Sequence, residues 1–194
     1  TGYVTSDEVL TMRNIPESII VLGAGAVSVE LAQFFLRIGT KVTLIQRSSH
    51  ILSSGDEDLA HPVEDRFREE GMDLYTGTKI IKAIRENNRS IIFFEHEGKE
   101  KRVEAEFIFQ GLGRRPNIDG LNLPAAGVTT DKGRVTVNTE MRTSQKNIFA
   151  VGDVNGIHEV VHIAIQQGEI AGFNACSPNH SKEIDDRLKA SVVF

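Results

Sequence analysis

An α/β fold, with a parallel β-sheet wrapped by helices, is predicted by three features of the sequence. An apolar strand-like run, Ile19 to Leu22, leads through Gly23-Ala24-Gly25-Ala26-Val27-Ser28 into a helical pattern that closes at Gly39. A β-branched run, Lys41 to Ile45, follows at once, which is the strand-helix-strand order of a parallel pair and its crossover. Further on, Lys79 to Arg85, Ser90 to His96 and Lys99 to Glu104 are separated by Asn87-Asn88 and Glu97-Gly98, the hairpin signals of a three-stranded antiparallel meander.

Length and composition bound the function. A chain of 194 residues makes one large domain or two small ones with a real apolar core. Its 22 basic and 27 acidic residues are well mixed and give a net charge of −5, with no basic stripe for nucleic acid and no polybasic patch for a membrane surface. Apolar runs such as Ile91 to Phe94 are too short to span a bilayer and no signal peptide opens the chain, so the expected location is cytoplasmic. The single cysteine, Cys176, excludes an internal disulfide or a redox cysteine pair, its neighbours do nothing to activate it, and no metal site is expected.

The opening stretch, Thr1 to Glu17, alternates polar and small residues, ends in Asn14-Ile15-Pro16, and is predicted to be a linker that adds little to a core. In the turn that follows the first strand, Gly23 makes the tight bend and Gly25 lets a pyrophosphate approach the backbone at the positive end of a helix that begins near Ala26 and Val27. Ser28 stands where a third Gly or an Ala is usual and is small enough for close helix-strand packing. The same turn also serves as an ordinary buried connection; its place between strand and helix is what favours dinucleotide binding. Val27, Leu31, Phe34, Phe35 and Ile38 form the predicted sheet-facing stripe of the helix.

The strand Lys41 to Ile45 ends at Gln46-Arg47-Ser48-Ser49-His50, about 20 residues past Gly25, where such folds read the adenosine ribose. An acid at this position accepts from the 2′-hydroxyl and repels a 2′-phosphate. With Gln46 in its place and Arg47 beside it, NADPH is favoured over NADH. The alternative is that Arg47 points into solvent and Gln46 accepts NAD through its amide.

Asp56 to Glu70, with Leu59, Val63 and Phe67 four apart, reads as a second helix, which Pro62 is expected to kink or to delay until His61. Met72 to Tyr75 is a short strand, the meander is expected to cover one face of the sheet, and Phe107 to Phe109 is a buried strand leading into Gly111 to Asn117. Gly and Pro punctuate Ile118 to Gly127, and Arg134 to Val137 reads as a strand. Ile148 to Asp153 reads as an apolar strand ending in Gly-Asp, whose carboxylate either accepts from a ligand hydroxyl or caps the next turn. His158 to Ala175 is predicted helical with Val161, Ile165 and Ile170 on its apolar side, and Ser191 to Phe194 is a strand-like run that suggests an excised piece.

Four ordered motifs carry a family resemblance: Thr5-Ser6-Asp7-Glu8, GAGAVSVE (Gly23 to Glu30), GRRPN (Gly113 to Asn117) and TSQKNIFAVGD (Thr143 to Asp153). Together they resemble the pyridine nucleotide-disulfide oxidoreductases, which include dihydrolipoamide dehydrogenase, glutathione reductase and mercuric reductase. The resemblance implies a Rossmann-like NAD(P)-binding domain, parallel sheet plus three-stranded meander, over residues 14–116. It implies incomplete FAD-domain segments at 1–13 and 117–186, and the start of a truncated dimer-interface domain at 187–194. It further implies that Glu30 lies beside the nicotinamide, that Gly113 lets the backbone approach the cofactor, and that Asp153 binds the flavin ribityl chain. The helix near His162 would face the flavin with its N-terminal end; His162 itself reads as a packing residue.

The family's FAD diphosphate turn, redox cysteine pair, active-site lysine and C-terminal His-Glu dyad are not in this sequence. No catalytic residue is therefore expected within the chain, which alone is expected to be inactive, while the parent passes hydride from NAD(P)H to FAD and on to a disulfide-type acceptor, as a homodimer. Competing readings are an NADH oxidase or ferredoxin-reductase-type flavoenzyme without the cysteine pair, and a non-catalytic dinucleotide-sensing module.

Overall fold

The computed structural model describes residues 3–177, 179–185 and 192–193. In chain order the elements are β1 (Tyr3–Val4), α1 (Ser6–Val9), β2 (Ser18–Leu22), α2 (Ala26–Arg37), β3 (Lys41–Ile45), α3 (Glu57–Glu69), β4 (Asp73–Tyr75) and β5 (Lys79–Glu86). There follow β6 (Arg89–His96), β7 (Lys99–Ala105), β8 (Phe107–Gln110), β9 (Thr130–Asp131), β10 (Arg134–Val135), a 3-10 turn (Gly152–Asn155) and α4 (Val161–Cys176). They group into two compact units, one running through Gly113 and one beginning at Arg114.

The first unit is organised on a sheet of order β1-β8-β2-β3-β4 in which every neighbouring pair is parallel. β2 is buried along its whole length, as a central parallel strand covered on both faces must be. Alternate residues feed two cores: Ile19 and Val21 pack with Leu44, Phe35 and Phe67 on the helical side, and Ile20 and Leu22 pack with Ile45, Ile92 and Phe94 on the other. That second core is the cover supplied by the meander β5-β6-β7. Its first turn places Asn87 and Asn88 at φ 49° and 61°, the left-handed pair that a tight two-residue hairpin requires. The α/β class with a parallel sheet and a three-stranded meander is thus the observed one.

Three local expectations in this unit are corrected. The predicted linker carries β1 and α1: Thr5 caps α1 in a capping box with Glu8, and Val4 and Val9 are buried in the helical-side core. In α2 the buried face is Ser28, Val29, Ala32 and Phe35, while Val27 and Phe34 are 43% and 53% exposed. Small residues at 28 and 32 let the helix approach the sheet; Leu31, Phe34 and Ile38 instead line a hollow with Val9 and Met12.

α3 starts at Glu57 and continues through Pro62, so the proline neither delays nor ends it. Its buried face is Ala60, Glu64 and Phe67, with Leu59 71% exposed. Glu64 is tolerated inside because it accepts the Ile51 N–H at 2.9 Å and pairs with Arg68 at 3.4 Å.

In the second unit β9 and β10 form a short antiparallel hairpin, so the strand expected over Arg134 to Val137 stops at Val135. Ile148 to Asp153 is not a strand: Phe149 makes one isolated bridge to Arg142, and Gly152–Asn155 winds into the 3-10 turn. α4 buries Ile163, Gln167, Ile170, Ala171 and Asn174, not Val161 and Ile165, which are 77% and 59% exposed. Its inner face carries two amides whose carbonyl oxygens accept bonds inside the unit. Gln167 Oε1 accepts the Gly152 N–H at 2.7 Å and the Asn155 amide at 2.8 Å, and Asn174 exchanges bonds with Lys182 at 2.7 and 2.8 Å. Apart from Val192 and Val193, the stretch 187–194 that was expected to open another domain lies outside the described residues.

Candidate dinucleotide cleft

A cleft of about 860 Å³ lies where β2, β3 and β8 end. The strand order explains why a crevice opens there. From β2 the chain passes through α2 to β3 on one side, and it returns to β8 on the other, so the loops after β2 and β8 diverge at the carboxyl edge. The edge is held by backbone bonds: the Gly23 N–H donates to the Ile45 carbonyl and the Gly111 N–H to the Leu22 carbonyl, both at 2.9 Å.

The two glycines of the turn have different jobs. Gly23 has φ +89°, and a Cβ there would lie 2.4 Å from the Gly111 carbonyl oxygen, so it is a packing requirement of the sheet edge. Gly25 is the N-cap of α2 at φ −74°, lines the cleft, and a Cβ there would meet nothing within 4 Å. With no side-chain capping bond at Gly25, the first-turn N–H groups of α2 lack an intrahelical acceptor. A bare glycine beside open donors at a helix start fits the pyrophosphate of a dinucleotide. Ser28 is 2% exposed and its hydroxyl donates to the Gly111 carbonyl at 3.3 Å, closing α2 onto the loop after β8.

Gly23, Gly25, Gln46, Arg47 and Gly113 all line this one cleft. Ala26 and Val27 are the exposed first residues of α2, and Glu30, half-buried in the same helix, is not among the lining residues. Gln46 is 9% exposed, whereas Arg47 is exposed. Of the lining residues that sequence reasoning missed, Thr78, Lys79 and Ile80 come from the junction of β4 and β5, and Ser53 from the loop before α3. The available signal for the first three was the parallel placement of β4 beside β3, since residues following adjacent parallel strands emerge at one edge.

Asp153 and His162 belong to the second unit. Asp153 is the second residue of the 3-10 turn that Gln167 anchors, and its carboxylate pairs with Arg114 at 3.4 Å. Arg114 also holds Glu159 at 2.9 Å. His162 is exposed in the first turn of α4. Among the described residues no group of three or more His, Cys, Asp or Glu is placed to hold a metal ion, and no helix is long and apolar enough to cross a membrane.

Comparison with known families matches residues 1–168 to the pyridine nucleotide-disulphide oxidoreductase model. The chain belongs to this family. Among its pyridine nucleotide-disulphide oxidoreductase relatives, mercuric reductase of Staphylococcus aureus is 35% identical over 99% of this chain and 35% of that enzyme. Dihydrolipoyl dehydrogenase of Mycobacterium bovis is 32% identical over 100% of this chain and 42% of that enzyme. The chain therefore spans well under half the length of these oxidoreductases. Among solved structures, LpdA of Mycobacterium tuberculosis superposes with a TM-score of 0.87 at 26% identity, covering 98% of this chain and 41% of that one. A copper(II) complex of a cysteine-to-serine mutant of the flavoprotein disulfide reductase RclA from Escherichia coli gives 0.89 at 25% identity, covering 100% and 43%.

Proposed function

We propose that this chain is the NAD(P)-binding portion of a flavin-dependent oxidoreductase whose parent passes hydride from NAD(P)H to FAD and on to a disulfide-type acceptor. The observation that carries this reading is the cleft at the carboxyl edge, where the glycine turn and open helix start meet a β3 end bearing Arg47 and no acid. Gly25, Ala26 and Val27 serve the pyrophosphate, with Gly23 making the tight turn that brings them to it, Gln46 and Arg47 serve the adenosine ribose, and Gly113 the close approach of the backbone. Glu30 stands beside the nicotinamide. Residues 14–116 form the NAD(P) domain, and 1–13 with 117–186 are segments of an FAD domain, in which Asp153 and the start of α4 at His162 attend the flavin. The parent works as a cytoplasmic homodimer.

NADPH is the preferred dinucleotide in this reading, because Gln46 removes the repulsion that an acid exerts on a 2′-phosphate and Arg47 supplies a charged donor. Calorimetric titration of wild type and Arg47→Ala with NADPH and NADH tests it. Wild type should bind NADPH more tightly, and the substitution should weaken NADPH by roughly ten- to a hundredfold while sparing NADH. Tighter binding of NADH to wild type ends the NADPH preference, and binding of neither ends the NAD(P) assignment.

A further inference from the structure

We infer that Lys79 is the second cation of a 2′-phosphate subsite that it forms with Arg47, an assignment that rests on the NAD(P) reading of the cleft. Lys79 lies 32 residues beyond Arg47 in sequence yet lines the same cleft. It is brought there by a backbone seam. The Gln46 N–H donates to the Tyr75 carbonyl at 2.8 Å, the Thr78 N–H and hydroxyl both donate to the Gln46 carbonyl at 3.1 and 2.9 Å, and the Gly77 N–H donates to Ser48 at 2.7 Å. These bonds lock the loop before β5 onto the loop after β3, and Lys79 is the next residue. The ladder slips just past Ile80, a bulge of the kind that re-aims side chains beside a site.

The charge balance says what this pair is for. Arg47 and Lys79 are the two charged residues lining the cleft, with no carboxylate among the lining residues. Neither makes an ion pair among the described residues, and Lys79 makes none with Glu95 although the two are directly opposed in the β5-β6 register. The pyrophosphate is served at the glycine turn, by the open backbone donors of the first turn of α2. Two exposed cations, Arg47 just past β3 and Lys79 at the start of β5, therefore remain for another anion, and the end of β3 is where the adenosine ribose is read. A phosphate dianion on that ribose matches two cations; a bare 2′-hydroxyl matches neither.

The test is titration of wild type, Lys79→Gln, Lys79→Arg and the Arg47→Gln/Lys79→Gln pair with four probes: NADPH, NADH, 2′,5′-ADP and 5′-AMP. Lys79→Gln should weaken NADPH and 2′,5′-ADP about tenfold, leave NADH and 5′-AMP within about twofold, and be largely rescued by Lys79→Arg. The double variant should lose the preference for the phosphorylated probes altogether. Equal weakening of NADPH and NADH by Lys79→Gln overturns the assignment, placing Lys79 at a group that both dinucleotides share, and unchanged NADPH affinity overturns it outright. Wild type that binds none of the four overturns the NAD(P) reading beneath it, a result distinct from either. Lys79 is exposed, so matched thermal unfolding of the variants establishes that the fold is intact.

Discussion

Thr78 donates twice to the Gln46 carbonyl, from its N–H at 3.1 Å and its hydroxyl at 2.9 Å. Thr78 is 4% exposed, so this contact is sheltered from water and joins the end of β3 to the start of the meander. Thr78→Val keeps the shape and removes the hydroxyl bond. The expected cost is about 1 kcal/mol, or roughly 2–4 °C in Tm for a chain of this size. With the seam loosened, NADPH affinity should fall more than NADH affinity; calorimetry of the same variant with both dinucleotides checks this, and equal losses would separate the seam from recognition of the phosphate.

Gly25→Val and Gly23→Ala should fail in opposite ways. The first adds a branched side chain where a Cβ meets nothing within 4 Å, so the fold should persist while the volume needed by the pyrophosphate is filled and dinucleotide binding is lost. The second puts a Cβ 2.4 Å from a backbone oxygen at φ +89°, so it should destabilise the sheet edge by 1 kcal/mol or more, on the order of the strain of a left-handed residue plus a clash. Thermal unfolding alongside titration separates the two outcomes. A folded Gly25→Val variant with unchanged affinity would make the turn purely structural.

Glu70 links α2 to the end of α3 and titrates far from its ordinary range. Its carboxylate receives Arg37 at 2.7 Å, Gln33 at 3.0 Å and Arg66 at 2.8 Å, and its side chain is 13% exposed. Arg37 foremost, then Gln33, with Arg66 adding to them, hold the carboxyl at about 2 against an ordinary 4.5. A carboxylate with a depressed folded pKa contributes stability that is present above about 4.5 and is lost as pH falls through about 2. Glu70→Gln should lower Tm at neutral pH and flatten its decline between those two values. Parallel Tm-against-pH curves for wild type and variant would remove Glu70 from the acid response.

The parts of the fold that were legible in the sequence are those set by local periodicity. The strand-turn-helix-strand unit from Ser18 to Ile45 and the meander with its Asn87-Asn88 turn were read within a residue or two of their observed bounds. The helix faces were not, because the buried sides hold polar residues whose partners are distant in sequence: Glu64 bonds Ile51, Gln167 bonds Gly152, and Ser28 bonds Gly111. A periodicity of hydrophobic residues counts Leu59, Val161 and Val27 as inward and those polar residues as outward. The site divides in the same way. Gly23, Gly25 and Arg47 follow strands whose order is local, whereas Lys79 depends on β4 lying beside β3, a fact of strand order.

The chain by itself should be colourless and without reductase turnover. It has one glycine-rich turn set between a strand and a helix, and one cysteine, so a second diphosphate turn and a cysteine pair are not within it. Absorbance of purified protein with added FAD, followed by removal of free flavin, checks the first point. Retention of flavin near one equivalent, or NAD(P)H-dependent disulfide reduction by this chain alone, would contradict it.

Gln46→Glu should reverse the dinucleotide preference. Gln46 is buried at the end of β3, its N–H bonded to Tyr75 and its carbonyl to Thr78, so the backbone at this position is fixed and Glu, nearly isosteric, changes only the charge of the side chain. The new carboxylate accepts from a ribose 2′-hydroxyl, a charge-assisted bond, and repels a 2′-phosphate at the same spot. It also competes with the phosphate for Arg47 and Lys79, which line the same cleft. Each effect acts against NADPH, and the first acts for NADH. A charge-assisted bond is worth about 1.5–3 kcal/mol, so NADPH affinity should fall roughly tenfold or more while NADH affinity holds or rises. Adding salt should weaken NADPH binding to wild type more than NADH binding to the variant, since only the former sets a phosphate dianion against two exposed cations. Tm of the variant without ligand reports on any cost of burying the new charge, which keeps a stability effect separate from the change in preference. A Gln46→Glu chain that still prefers NADPH would mean that the ribose is bound away from the end of β3.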